Sequence, residues 1–363
     1  MSRWYEVSLG DISTQKKGIN YTSEGYTDRH SGHPFITIKC FVKGGGYEPK
    51  GIKYYRGFFN QTDFLKQNNI LFSVTDLTRA GDIVGSPLKV PDFGNTNPAV
   101  ASMDCMNIIP DQNLCNQDFL YHRLMLSDIR RQMVAYSAGS TVLHLDTKKV
   151  PEMKIKIPVD INEQGKIAVI LNRVDTIIQK TEALIHKYQQ IKAGLMHDLF
   201  TRGVTEDGRL CPSREQAPEL YKETPIGWIP KEWVSCTLDS VIRIIDCKHY
   251  TPKYCSEGYP IIRPRNVNND GLDFKNVDYI SKADYHFLTD IHEPCQGDIV
   301  YSRNASFGIP CYVEDDRTFA IGQDVVIMTK MEMDTRFLYY VLKSNLVWNQ
   351  ISRLFAGSTF SRI

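Results

Sequence analysis

The sequence predicts an α+β fold in which two related domains are joined by a long coiled-coil-type α-helix. Three observations predict it: a repeat relating the two ends of the chain, an apolar stripe at heptad spacing between them, and a proline-rich stretch after the stripe. The 363 residues have room for two or three domains, and 42% hydrophobic content is enough to bury a sizeable core.

The repeat is read from matched segments. Phe119-Leu120-Tyr121 recurs 218 residues later as Phe337-Leu338-Tyr339, and Gln132 recurs as Gln350 at the same spacing. Ala138-Gly139-Ser140-Thr141 recurs as Ala356-Gly357-Ser358-Thr359, again 218 residues on. Upstream, Trp4 and Leu9 match Trp233 and Leu238 at 229, and Asn69-Ile-Leu-Phe-Ser73 resembles Asp298-Ile-Val-Tyr-Ser302 at 229. Pro34-Phe35-Ile36 matches Pro260-Ile261-Ile262 at 226. A drifting offset is what a shared framework with different loops produces. Alone, it is equally a duplicated domain of any function.

The expected domains are 1–157, a central helix over 158–203, a linker over 204–231, and a second domain over 232–363. Within each repeat, Phe35–Phe41, Ile70–Val74, Ile299–Ser302 and Val325–Thr329 are β-branched and aromatic runs bounded by turn residues, and read as strands. Asp118–Tyr136 and Thr335–Phe355 carry apolar residues at helical spacing, and each reads as one closing helix. The Ala-Gly-Ser-Thr that follows reads as a helix stop. Between the repeats, Ile167, Ile170, Val174, Ile177, Leu184, Tyr188, Ile191, Leu195 and Leu199 advance by threes and fours, with Thr181 filling the one gap. That is the seam of a helix packed against another long helix, about 60 Å in length. Pro212, Pro218, Pro225 and Pro230 then mark the linker.

Charge says little about partners at first sight, since the net value is +1. Residues 1–157 carry 19 Lys/Arg against 15 Asp/Glu, while residues 232–363 carry 14 against 17. Such a chain grips phosphates weakly, so a nucleic-acid role implies partners that supply much of the grip. The nine cysteines are scattered without Cys-x-x-Cys spacing, which fits reduced thiols in a cytoplasm. No run approaches the roughly 20 apolar residues that span a bilayer.

Catalytic constellations are not readable. The glycines at 44–46 lack the lysine of a phosphate loop, and Asn97-Pro98-Ala99-Val100 lacks the second proline and stacking ring of an adenine-methylation pocket. The histidines show no ligand spacing, so no metal site is expected, and Glu314-Asp315-Asp316 reads as a solvated loop. Polar side chains in loops at matched places remain. In the first repeat these are Lys39, Arg79, Lys89, Asn95 and Asn97; in the second, Arg263, Arg265, Asn266, Asn268, Arg303 and Asn304. Arginine reads guanine and asparagine reads adenine in the DNA major groove.

Taken in order, four segments resemble the specificity subunits of type I restriction-modification systems over essentially the whole chain. They are Gly258-Tyr-Pro-Ile-Ile-Arg-Pro-Arg-Asn-Val267 with Gly297-Asp-Ile-Val-Tyr-Ser-Arg-Asn-Ala-Ser-Phe-Gly308; the closing Phe337-Leu-Tyr-Tyr and Ala356-Gly-Ser-Thr; Ile157-Pro158 with Glu163-Gln164-Gly-Lys-Ile167, running into Lys192-Ala-Gly-Leu-Met-His-Asp-Leu-Phe-Thr201; and Thr224-Pro-Ile-Gly-Trp-Ile-Pro-Lys-Glu-Trp233. The resemblance implies two target-recognition domains, each reading half of a split double-stranded DNA site. It also implies conserved helices that dock two modification subunits, which bind S-adenosylmethionine and methylate adenine, and a motor and nuclease subunit for restriction. The chain itself would hold no cofactor and be no enzyme. A non-catalytic scaffold, docking modification subunits without reading DNA, is the alternative. The family pattern includes a second conserved helix after the second domain, whereas this sequence runs only four residues past the second Ala-Gly-Ser-Thr. The seam is therefore expected to pair across chains, most simply in a homodimer.

Overall fold

A computed structural model describes residues 3–78, 80–94, 97–303 and 308–354. It divides into two compact units, Met1–Ala183 and Leu184–Ile363.

In the first unit an antiparallel sheet places Ser13–Lys17, Cys105–Pro110, Ile70–Ser73 and Pro87–Lys89 side by side in that order. A second sheet orders Tyr26–Thr27, Lys53–Tyr55, His33–Ile36 and Val100–Ala101, and its last pair is parallel. The second unit repeats both. One sheet runs Ile242–Asp246, Val325–Lys330, Ile299–Ser302 and Pro310–Tyr312; the other runs Tyr254–Cys255, Asp278–Ile280, Tyr259–Ile262 and Ala320–Ile321, again ending in a parallel pair. Register is shared as well: Phe35 and Ile36 face Val100 and Ala101, and their counterparts Ile261 and Ile262 face Ala320 and Ile321. Ile70–Ser73 and Ile299–Ser302 are buried along their whole length. Both faces are covered, and so these runs are uninterrupted rather than alternating.

Three local expectations are corrected. Each closing helix is two helices: Gln117–Leu124 and Ser127–Ala135 in the first unit, Thr335–Leu342 and Asn345–Leu354 in the second. The first break falls where Leu126 turns extended (φ −76° is reached at Met125, φ −69° and ψ 149° at Leu126). Arg123 clamps it, with Nη1 and Nη2 on the Asp128 carboxylate at 2.9 and 2.6 Å and Nε on the Lys156 carbonyl at 3.0 Å. The first helix of each pair is capped alike, Asn116 accepting from the Phe119 amide and Asp334 from the Phe337 amide. The first Ala-Gly-Ser-Thr is not a helix stop either. Ser137–Ala138 pairs with Leu143–Leu145, and Gly139 makes the turn at φ +133°, where a Cβ would lie 1.9 Å from the Val142 oxygen. The second copy, 356–359, lies outside the described residues. Finally, the strand expected over 35–41 is His33–Ile36, and Ile38–Cys40 in that range is a 3-10 turn.

The two units differ in how their cores close. The first-unit cluster of Leu9, Ile12, Phe72, Met106 and Leu120 also contains Leu145, Val150, Met153, Ile155, Ile157 and Ala168. Strand Lys154–Pro158 pairs there with Trp4–Ser8. In the second unit the matching residues Leu238, Tyr301, Val326 and Leu338 line an open apolar groove of about 850 Å³, and 233–237 forms no strand.

The central helix runs Ile161–Thr201. Its start is fixed by Gln164, fully buried, which accepts from the Asn116 amide at 2.8 Å and donates to the carbonyls of Pro158 and Leu114 at 3.0 and 3.2 Å. Both donors and one lone pair of the amide are thereby spent on anchoring the helix to the first unit. The stretch 204–231 is not bare linker: Tyr221–Thr224 and Gly227–Pro230 form a hairpin in it. Among the described residues, no helix is long and apolar enough to cross a membrane.

Candidate nucleic-acid interface

The 3-10 turn that follows His33–Ile36 in the first unit, and the one that follows Tyr259–Ile262 in the second, each present one cation. Lys39 occupies the middle of Ile38–Cys40, and Arg265 the middle of Pro264–Asn266; both are exposed. These positions are 226 residues apart, the same offset as the preceding strands. The turn that carries Arg265 is built by Asn266, whose buried amide accepts from the Arg263 backbone and donates to the carbonyls of Asp273 and Asn276. Asn266 thus positions its neighbours and has no exposed edge to offer a base.

Arg263 and Arg265 converge on one carboxylate. Arg263 Nη1 lies 2.8 Å from Asp278 Oδ2, and Arg265 Nη2 lies 2.8 Å from Oδ1. The Arg263 guanidinium also sits over the Tyr254 ring, 5.3 Å from its centroid. Desolvation pushes the Asp278 pKa up, but the two arginines outweigh it and hold the carboxyl below the usual range. Two positive charges on one negative leave the patch cationic, with both forks in fixed orientations. Arg303 is held separately, both of its terminal nitrogens on the Asp246 carboxylate at 2.7 and 3.1 Å. Asn268 caps a turn through the Asp270 amide.

In the first unit, Lys89 is engaged internally. Its ammonium lies 2.9 Å from Asp118, 3.1 Å from Asn172 and 4.6 Å from the Tyr121 ring centroid. Asn97 donates to the Gly32 carbonyl at 3.3 Å. Arg79, Asn95 and Asn304 lie outside the described residues. The loop that carries residue 79 is nonetheless well organised on both sides. Asp76, fully buried, accepts from the Thr78 amide and hydroxyl and from the Ile83 and Val84 amides. Burial raises its pKa, yet these bonds prevail and hold it below the usual carboxylate value. Arg130 ties down the carbonyls of Gly81, Asp82 and Val84.

The acids that organise these cations escaped sequence reading. Asp278 is 13 and 15 residues from its arginines, and Asp246 is 57 residues from Arg303. No local pattern announces such pairs. The acid run Glu314–Asp316 is partly matched by arginines, Glu314 by Arg336 and Asp315 by Arg317. The nine cysteines are unpaired, and burial pushes Cys115 up to about 12 and Cys311 up to about 11, leaving those thiols protonated.

Along the central helix, Ile167 is partly buried on the first-unit core. The other eight seam residues, Ile170, Val174, Ile177, Leu184, Tyr188, Ile191, Leu195 and Leu199, are 41–64% exposed. Val169, Leu171, Ile178 and Ile185 beside them are exposed too, so the apolar face is wider than the seam.

Known proteins share this build. Residues 1–192 match the model of the type I restriction modification DNA specificity domain. The type I restriction enzyme MjaVIII specificity subunit of Methanocaldococcus jannaschii is 24% identical over 374 residues, covering 98% of this chain and 78% of its own length. The EcoBI specificity subunit of Escherichia coli is 22% identical over 293 residues, with 77% of this chain and 56% of that protein covered. In fold, the chain is similar to the crystal structure of a type I restriction-modification S subunit from M. genitalium, with a TM-score of 0.60 and 15% identity over 100% of this chain and 84% of that one. With more than half of its length matched by the family model, the chain belongs to the type I restriction-modification DNA specificity family.

Proposed function

We propose that each of the two units reads one half of a split DNA site, and that the chain thereby directs adenine methylation and restriction by partner subunits without catalysing either. What carries this reading is one framework built twice, with different polar side chains at matched positions. Lys39 in one unit stands where Arg265 stands in the other, and Lys53 stands where Asp278 stands. A constant scaffold with variable polar loops suits two different half-sites. The shortage of net positive charge is consistent with modification subunits supplying phosphate contacts and binding S-adenosylmethionine. The motor and nuclease subunit would join that complex in the cytoplasm.

The DNA-facing residues proposed for the second unit are Arg263, Arg265 and Arg303. A bidentate arginine–guanine pair is worth about 1–3 kcal/mol of discrimination. Arg265→Ala, assayed with the cognate modification subunits, is therefore expected to relax methylation at one position of one half-site by about tenfold or more, with the other half-site unchanged. Methylation of the original site at full efficiency and selectivity by all three single alanine variants would contradict the assignment.

The exposed seam is proposed to pair with the same helix of a second copy in a two-fold antiparallel arrangement. Apolar side chains of this size are stabilised by roughly 1.5–3 kcal/mol each on burial, so eight in a row strongly favour a covered state.

A further inference from the structure

The two copies of the framework isolate a side-chain cluster that the shared fold does not require. The turn entering strand Ile299–Ser302 is closed by Asp298, whose buried carboxylate accepts from the Cys295 amide at 3.0 Å. The turn entering the matching strand Ile70–Ser73 is closed by Asn69, which accepts from the Lys66 amide at 2.8 Å. A neutral amide oxygen is thus enough for the turn, and a lysine is accommodated where the second unit has Cys295. In the second unit the same Asp298 oxygen also meets His292 Nε2 at 2.6 Å and Cys295 Sγ at 3.6 Å. One potential ligand atom from each of these three residues lies within 4.8 Å of the others, the one such group of three among the described residues.

We propose that His292, Cys295 and Asp298 form a binding site for a late first-row divalent cation, with zinc the best match. An imidazole, a thiolate and a carboxylate are the donor types zinc takes, while a thiolate disfavours magnesium and calcium. Tetrahedral bonds of about 2.0–2.3 Å separate ligand atoms by about 3.3–3.8 Å. The present sulfur–oxygen spacing already falls in that range, and the nitrogen–oxygen spacing needs to open by less than about 1 Å. Water would complete the four-coordinate shell, because only three protein ligands converge. Binding releases the Cys295 thiol proton to solvent, while the neutral His292 ring carries its proton on Nδ1 and so leaves Nε2 free to ligate. Cys295 is exposed, which gives the ion a way in. The bound ion would brace the turn leading into strand Ile299–Ser302, at the end opposite Arg303, and would thereby stabilise the second unit. The spacing His-x-x-Cys-x-x-Asp mixes three residue types, so no paired-histidine or Cys-x-x-Cys pattern announces it in the sequence.

Cobalt(II) titration of the purified full chain tests the site. One equivalent should give a near-ultraviolet thiolate-to-cobalt band with visible bands of tetrahedral cobalt, and zinc should displace it. Cys295→Ser should abolish the thiolate band, and His292→Ala should weaken binding at least about tenfold. Asp298→Asn keeps the turn acceptor that Asn69 supplies in the first unit, so it should retain the far-ultraviolet circular dichroism of the parent while also binding at least about tenfold more weakly. Absence of the band at stoichiometric cobalt, its persistence in Cys295→Ser, or undiminished affinity in Asp298→Asn would each overturn the proposal.

Discussion

Truncating Ile157 to alanine is expected to destabilise the first unit by about 3–4 kcal/mol, among the larger effects available to a single aliphatic truncation. Ile157 is fully buried, pairs with Tyr5 across the strand ladder, and belongs to the cluster that includes Leu9, Phe119 and Leu120. Its strand closes the core that stays open in the second unit, so little nearby can collapse into the space left behind. Val159, two residues on and 60% exposed, is the control: Val159→Ala should change stability by no more than about 0.5 kcal/mol. Urea unfolding of the full chain measures both. Equal and small shifts for the two variants would show that the strand is not the closing element described here.

Leu184→Asp and Leu195→Asp are expected to break the proposed dimer outright. Both leucines are 50% exposed in the single chain, so neither substitution removes a core contact within it. Each would instead place two carboxylates, one per copy, in an apolar seam, where an unpaired charge is strongly disfavoured. Affinity should fall by at least about a thousandfold, while the circular dichroism of the chain stays unchanged. Light scattering at micromolar concentration should show the parent at twice its 41.6 kDa chain mass and each variant at that mass. A parent that runs at 41.6 kDa would contradict the dimer.

Elements specified by long runs of local pattern were legible in the sequence. The helix expected over 158–203 is Ile161–Thr201, because three-and-four spacing sustained from Ile167 to Leu199 leaves no competing periodicity. The repeat predicted matched strands, and register confirms it to the residue at Phe35 and Ile261. Features decided by distant partners were not legible. The helix break at Leu126 has no glycine or proline to announce it, and it is held by Arg123 reaching Asp128 and Lys156. Glycine after a helix most often ends it, whereas pairing of Ser137–Ala138 with Leu143–Leu145 makes Gly139 a hairpin residue. Residue type and loop position point to candidate contact residues but do not show what already holds them. Lys89 is tethered by Asp118 and Asn172, and Asn266 is buried within its own turn, while Arg265 and Lys39 stand exposed on matched turns.

One chain that reads two separate half-sites must leave a bipartite methylation mark. Mapping methylated adenines across the genome of cells that carry this chain with its cognate modification subunits tests it most directly. One bipartite motif is expected, two short specific sequences separated by a fixed run of unspecified bases, with methylation absent when the chain is deleted. A single uninterrupted motif, or methylation that persists unchanged without the chain, would contradict it.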